Sequence, residues 1–150
     1  MLEAIRTGWL TAVMGLITRL GEEAVFIAAF LFVLWCVNKR SGFRLFGIFF
    51  INGFVNQILK LVFRVQRPWV RDPSLNTIES AKQAATGYSF PSGHTASAVS
   101  LYGSIAVMVK KRWVKIVCAF LILLVAFSRM YLGVHTPQDV LFSLLVSFLV

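Results

Sequence analysis

Five apolar runs divide this chain, at residues 24–37, 43–63, 95–109, 114–127 and 140–150, and short polar stretches separate all but one pair. Runs of this length and purity have few ways to satisfy both side chains and backbone. A helix that closes its own hydrogen bonds and meets lipid is the simplest. The run at 43–63 reaches the roughly 20 residues a membrane-crossing helix needs, and the others approach it. The last run stops at Val150 in mid-pattern, so the native chain is expected to continue. With 58% hydrophobic residues in 150, a soluble domain of this size could not hide its apolar surface.

Ahead of these runs, residues 2–20 read as a helix of another kind. Ile5, Trp9, Val13, Leu16 and Leu20 recur at helical spacing, while Glu3, Thr7, Thr11 and Thr18 fall on another face. That pattern suits a helix lying in the membrane interface. The competing reading is a short span with Arg6 and Arg19 snorkelling. The start of the chain lacks a basic segment, apolar middle and small-residue cleavage site, so no removable signal peptide is expected. The fold class that follows is all-α: a single-domain integral membrane helical bundle over residues 1–150. It has five membrane helices plus an N-terminal interfacial helix, or six membrane helices.

The net charge of +9 lies in clusters between apolar runs. No polar scaffold carries a basic, aromatic surface, so nucleic acid is not the expected partner. Lys39, Arg40, Arg44, Lys110, Lys111, Arg112 and Lys115 gather in the loops at 38–44 and 110–115. Short loops rich in Lys and Arg face the cytoplasm. The long loop at 64–91 and the turn at 131–137 should then face outward. Cys36 and Cys118 sit in apolar runs without a second ligand at metal spacing and read as buried small hydrophobes. Trp69, Trp113 and Tyr131 read as interfacial aromatics. Arg64, Arg71, Asp72 and Tyr88 read as a solvated loop face.

Three polar groups break or flank the apolar runs and converge on the outward side. Lys60 lies near the end of the second run and is followed by Arg67-Pro68. An ionisable residue in a span is a functional hypothesis by default, though a snorkelling lysine is the plain alternative. Pro91-Ser92-Gly93-His94 opens the third run. It can be merely a turn and helix start, or it can offer free N–H groups and a helix dipole to an anion, with a proton-transfer group alongside. Ser128-Arg129, His135 and Asp139 straddle the turn into the last run. Thr136, Pro137 and Asp139 look like an N-cap, first-turn proline and capping-box acid. The same acid, one turn from His135, could hold the Nδ1 proton and leave Nε2 free to attack. Two imidazoles, three cations and a helix start suit phosphoryl transfer. Asp139 is the only acid in these groups, so no carboxylate cluster is available for magnesium.

The three groups, Lys60-x6-Arg67-Pro68, Pro91-Ser92-Gly93-His94 and Ser128-Arg129-x5-His135-x3-Asp139, resemble the three motifs of the type 2 phosphatidic acid phosphatase family in order and spacing. The resemblance covers Lys60 to Asp139. It implies a helical-bundle fold and a phosphatase that works through a phosphohistidine, with no metal or other cofactor. His135 would be the nucleophile, Asp139 would orient it and His94 would protonate the leaving group. Lys60, Arg67, Ser92, Gly93 and Arg129 would hold the phosphoryl oxygens. A lipid phosphate or pyrophosphate in the membrane is the implied substrate, with undecaprenyl pyrophosphate, phosphatidylglycerophosphate and phosphatidate as candidates. A lipid phosphotransferase and a non-catalytic lipid-binding or transport protein are the rival readings.

Overall fold

Polar breaks in the sequence set the helix ends. Asn38 is extended (φ −163°, ψ 127°), and its Oδ1 accepts from the backbone N–H of Arg40 at 2.8 Å and of Ser41 at 3.3 Å. That side-chain cap starts the longest helix. The computed structural model describes residues 5–75 and 77–150. In chain order it contains α1 (Gly8–Arg19), α2 (Glu23–Phe32, continued by a π turn at Val33–Val37) and α3 (Lys39–Phe63). Short α4 (Pro68–Arg71) and α5 (Glu79–Ala84) lie in the long loop. Next, α6 (Gly93–Ala98) runs through a π turn at Val99–Gly103 into α7 (Ser104–Met108), followed by α8 (Arg112–Tyr131) and α9 (Pro137–Leu149). No strand occurs among the described residues. Glu3 of the expected N-terminal helix and Asn76 of the long loop lie outside the described residues.

The bundle is apolar outside and polar inside. Phe43, Phe50 and Phe54 of α3, Ile116, Phe120 and Leu123 of α8, and Leu141, Leu145 and Phe148 of α9 are all exposed. Asn52, Asn56, Ser100, Ser104, Ser128, Arg129, Ser143 and Ser147 are buried. Several of these polar groups tie helices together. Asn52 Nδ2 donates to Ser100 Oγ at 2.8 Å, joining α3 to the π turn after α6. Ser143 Oγ of α9 donates to the backbone oxygen of Ser92 at 2.7 Å. Small and hydrogen-bonding residues inside, with large apolar ones outside, are the arrangement of helices packed in lipid. The apolar core proper centres on Phe26, Leu45, Leu101, Ile122 and Val125. The protein is an integral membrane helical bundle.

Two helices, over Lys39–Arg71 and Arg112–Tyr131, are long and apolar enough to cross a membrane alone; α1 and α2 with its π turn, bent by 47°, qualify only as a pair. At 13 residues, α9 extends about 20 Å, less than the roughly 30 Å hydrocarbon core. The starts of α2, α6 and α9 and the ends of α3 and α8 meet at one end, around a shared cavity. The opposite end holds the basic loops.

The apolar and polar faces of α1 are separate as expected, and two other expectations need correction. The outward face of α1 carries Trp9, Val13 and Leu16, while Thr11 and Thr18 turn inward to Tyr131 and Arg129. The polar side is the packed one because the surroundings are apolar. Tyr131 is not an interfacial aromatic: it is fully buried beneath α1 and packs with Met14, Leu132 and Val134. Cys36 is exposed at the end of α2, whereas Cys118 is buried as expected.

Candidate active site

Five helix ends deliver the site. Lys60 stands in the last turn of α3, and Arg67 caps the start of α4. Gly93 and His94 open α6, Arg129 closes α8, and His135 and Asp139 flank the start of α9. Lys60, Arg67, Gly93, His94, Arg129 and His135 line one cavity of about 620 Å³. A Cβ on Gly93 would stand 3.7 Å from Lys60 Nζ and 3.9 Å from Asn56 Oδ1, so the helix start faces this cation across a narrow gap.

The turn carrying His135 is held from several sides. Gly133 takes a left-handed backbone (φ 79°), which a glycine adopts without strain. Val134 N donates to Arg129 O at 3.2 Å, Arg6 Nε to Tyr131 O at 3.0 Å and Ile78 N to Leu132 O at 3.3 Å. Arg67 then joins this turn to the long loop. Its guanidinium donates to Gly87 O, Thr86 O and Val134 O at 3.1, 2.7 and 3.2 Å.

Arg67 Nη1 also lies 3.0 Å from His135 Nε2. A guanidinium can only donate, so Nε2 accepts and the ring proton is assigned to Nδ1. Nδ1 lies 3.5 Å from Asp139 Oδ2 and has no hydrogen-bond partner among the described residues. That oxygen has two closer donors, Ser89 Oγ at 2.6 Å and Thr136 N at 2.9 Å. Thr136 Oγ1 accepts from Asp139 N at 3.3 Å, completing a capping box with Pro137 in the first turn. The capping-box reading of Asp139 is thus met, while its carboxylate lies near Nδ1 without a hydrogen bond to it. Burial pushes the His135 imidazole down to about 4, with Arg67 and Arg129 adding to the effect and Asp139 opposing it. The ring is therefore neutral at neutral pH, with the Nε2 lone pair available.

Arg129 is 2% exposed; its Nη1 donates to Thr18 Oγ1 at 2.8 Å, and its Nε has no partner among the described residues. Ser92 and Asp139 do not line the cavity. Ser92 is fully buried at the N-cap of α6, where its Oγ accepts from Thr95 Oγ1 at 3.0 Å and caps no backbone N–H. Its first helical turn takes up its hydroxyl, so it stands behind the wall that Gly93 forms. Arg64, Arg71, Asp72 and Tyr88 stay off the cavity wall. Among the described residues no group of three or more His, Cys, Asp or Glu could hold a metal ion.

Sequence reasoning passed over several members of this site. Ser89 anchors Asp139, Thr18 holds Arg129, and Asn56, Glu22 and Glu23 line the cavity. Gly21 packs so closely on α6 and α8 that a Cβ there would lie 2.9 Å from His94 O and 2.7 Å from Val125 Cγ1.

A family model described as the PAP2 superfamily matches residues 41–150. Phosphatidylglycerophosphatase B of Bacillus subtilis is 32% identical over 163 residues, covering 97% of this chain and 76% of the relative. Undecaprenyl-diphosphatase BcrC of the same organism is 33% identical over 127 residues, covering 82% of this chain and 63% of the relative. A probable sphingosine-1-phosphate phosphatase of Dictyostelium discoideum is 33% identical over 141 residues, covering 85% of this chain but 34% of the relative's length. The crystal structure of a transmembrane PAP2-type phosphatidylglycerolphosphate phosphatase from Bacillus subtilis aligns with a TM-score of 0.79 at 29% identity, over 99% of this chain and 78% of that one. Aquifex aeolicus LpxE shares the fold, with a TM-score of 0.86 at 23% identity over 99% of this chain and 86% of that one. The family match runs from the start of α3 through α9 and so contains every motif residue from Lys60 to Asp139: the chain belongs to the PAP2 superfamily.

Proposed function

We propose that this chain is a membrane phosphatase that hydrolyses a lipid phosphate or pyrophosphate through a phosphohistidine. The observation that carries the proposal is the setting of His135. It lines a cavity rich in cations, with its Nε2 3.0 Å from Arg67 Nη1 and its Nδ1 3.5 Å from the anchored carboxylate of Asp139.

In the proposed reaction the Nε2 lone pair attacks phosphorus, and the bond to the leaving oxygen breaks. Lys60, Arg67, Arg129 and the N–H groups at Gly93 offset the charge on the remaining phosphoryl oxygens. Arg67 moves its contact from Nε2 to a phosphoryl oxygen as the substrate enters. His94 gives a proton to the departing alkoxide or phosphate. The ring bonded to phosphorus keeps its Nδ1 proton and is cationic, and Asp139 stabilises that charge. Water, deprotonated by His94, then attacks the phosphohistidine and releases phosphate. Ser92 serves by fixing the start of α6.

The site end lies opposite the basic loops at 38–44 and 110–115, so it is assigned to the outer face of the cell membrane. The relatives' names, a phosphatidylglycerophosphatase and an undecaprenyl-diphosphatase, support a lipid substrate. Phosphate release from a panel of lipid phosphates in detergent with excess chelator tests the reading. Activity that resists chelator and disappears in His135→Ala is expected. Activity that needs metal, or survives in the variant, would sink the mechanism, and turnover of soluble phosphate esters alone would sink the lipid substrate.

A further inference from the structure

Glu22, Glu23 and Asn56 are among the residues of the cavity wall that the mechanism leaves without a task. Glu22 and Glu23 lead into α2, directly after the Gly21 that packs on His94. Both line the cavity with Lys60, His94 and Arg129, and Glu22 lies within electrostatic reach of Arg129. Glu22 occupies the N-cap position without using its side chain as a cap. Both side chains are exposed, and neither carboxylate forms a hydrogen bond or a close ion pair among the described residues. Asn56 adds an independent sign of a ligand. It sits one turn before Lys60, is 7% exposed and lines the cavity, yet its carboxamide has no hydrogen-bond partner among the described residues. The amide is open to the cavity, where it can hydrogen-bond to whatever enters.

The cavity wall therefore has three chemistries. Cations gather around His135. Phe46, Phe49, Phe50 and Phe54 of α3 line the part that runs along the bundle, where an apolar chain would lie. On the same wall, two carboxylates and an amide offer hydrogen-bond acceptors. Carboxylates beside a phosphate pocket repel a second phosphate and attract hydroxyl or ammonium groups.

From this we infer that Glu22, Glu23 and Asn56 form a headgroup subsite. It selects lipid monophosphates that carry a hydroxyl or ammonium group close to the phosphoester, and it disfavours diphosphates. This rests on the phosphatase reading above and narrows its substrate.

The test compares kcat/KM for four lipids in detergent: sphingosine-1-phosphate, lysophosphatidate, phosphatidate and a polyprenyl diphosphate. Wild type is compared with Glu22→Gln/Glu23→Gln and with Asn56→Ala. The two donor-bearing monophosphates should exceed phosphatidate by about tenfold, the worth of a hydrogen bond to a charged group. The double Gln variant should erase that ratio and raise kcat/KM for the diphosphate. Asn56→Ala should lower the ratio in part. A ratio the same in wild type and double variant would overturn the subsite, as would a wild-type preference for the diphosphate. Wild-type protein that hydrolyses none of the four would overturn the phosphatase reading itself, and the subsite with it.

Discussion

Asp139→Asn separates the charge of the carboxylate from its geometry. The oxygen facing His135 is fixed by two donors, Ser89 Oγ at 2.6 Å and Thr136 N at 2.9 Å. Both require an acceptor, so the new amide settles with its oxygen, not its NH2, in that place. Nδ1–H still faces an oxygen, and the tautomer with the proton on Nδ1 is retained. Only the charge is lost. Two unit charges 3.5 Å apart attract by roughly 5 kcal/mol at an effective dielectric constant of about 20. That interaction is made in full only when the ring becomes cationic, so it belongs to the transition state. It corresponds to about three orders of magnitude in kcat, with little change in KM. Ser89→Ala keeps the charge but removes one donor, and kcat should fall about tenfold. In the double variant only Thr136 N opposes an amide flip. The NH2 can then face Nδ1 and force the wrong tautomer, so the double loss should exceed the product of the single losses. Initial rates of phosphate release from saturating lipid phosphate measure all four proteins. Asp139→Asn within tenfold of wild type would refute the use of the charge, and a purely multiplicative double variant would refute the tautomer argument.

Three other outcomes are expected. Because burial holds His135 down to about 4, its ring stays neutral until pH falls through that value. The acid limb of kcat/KM, which reports the free enzyme, should lie near pH 4 once ionisation of the substrate is titrated separately, and a limb near the usual imidazole value of about 6.5 would refute the assignment. Gly21→Ala places a methyl 2.7 Å from Val125 Cγ1 and 2.9 Å from His94 O. It should destabilise the protein by about 1–3 kcal/mol in detergent melting and reduce activity, whereas Gly8→Ala, with open space around it, should leave the melting midpoint in place. Thr18→Val removes the acceptor of Arg129 Nη1 and should raise KM about tenfold while Thr18→Ser restores it; an unchanged KM would show that Thr18 does not position Arg129.

What the sequence made legible were the local features. The capping box of Thr136 and Asp139 needs only four consecutive residues, and its hydrogen bonds form as the spacing predicts. The motif residues stand at helix ends, where breaks in hydropathy mark them, so their gathering at one end of the bundle followed from threading alone. The partners that orient them come from distant segments. Ser89 lies 50 residues from Asp139, and Thr18 lies 111 from Arg129; no period or spacing links them. Tyr131 was misread because an aromatic residue at a helix end looks interfacial until α1 is known to cover it. Asn56 was passed over because one amide in an apolar run carries no sign of whether it faces a neighbouring helix or a cavity. The number of spans resists a count because bent and short helices such as α1 with α2, and α9, fall on either side of any length rule.

Asp139 Oδ2 belongs to the start of α9 and, in the proposed mechanism, also to the orientation of His135. A descendant that abandoned the reaction would still need an acid there to begin its last helix. His135 carries no such second duty, since its Nε2 meets Arg67 and its Nδ1 meets only that acid. If His135 is the nucleophile proposed above, an acid at this position is a poor marker of a working enzyme, and the histidine is a good one. Among decayed relatives the acid should outlive the imidazole.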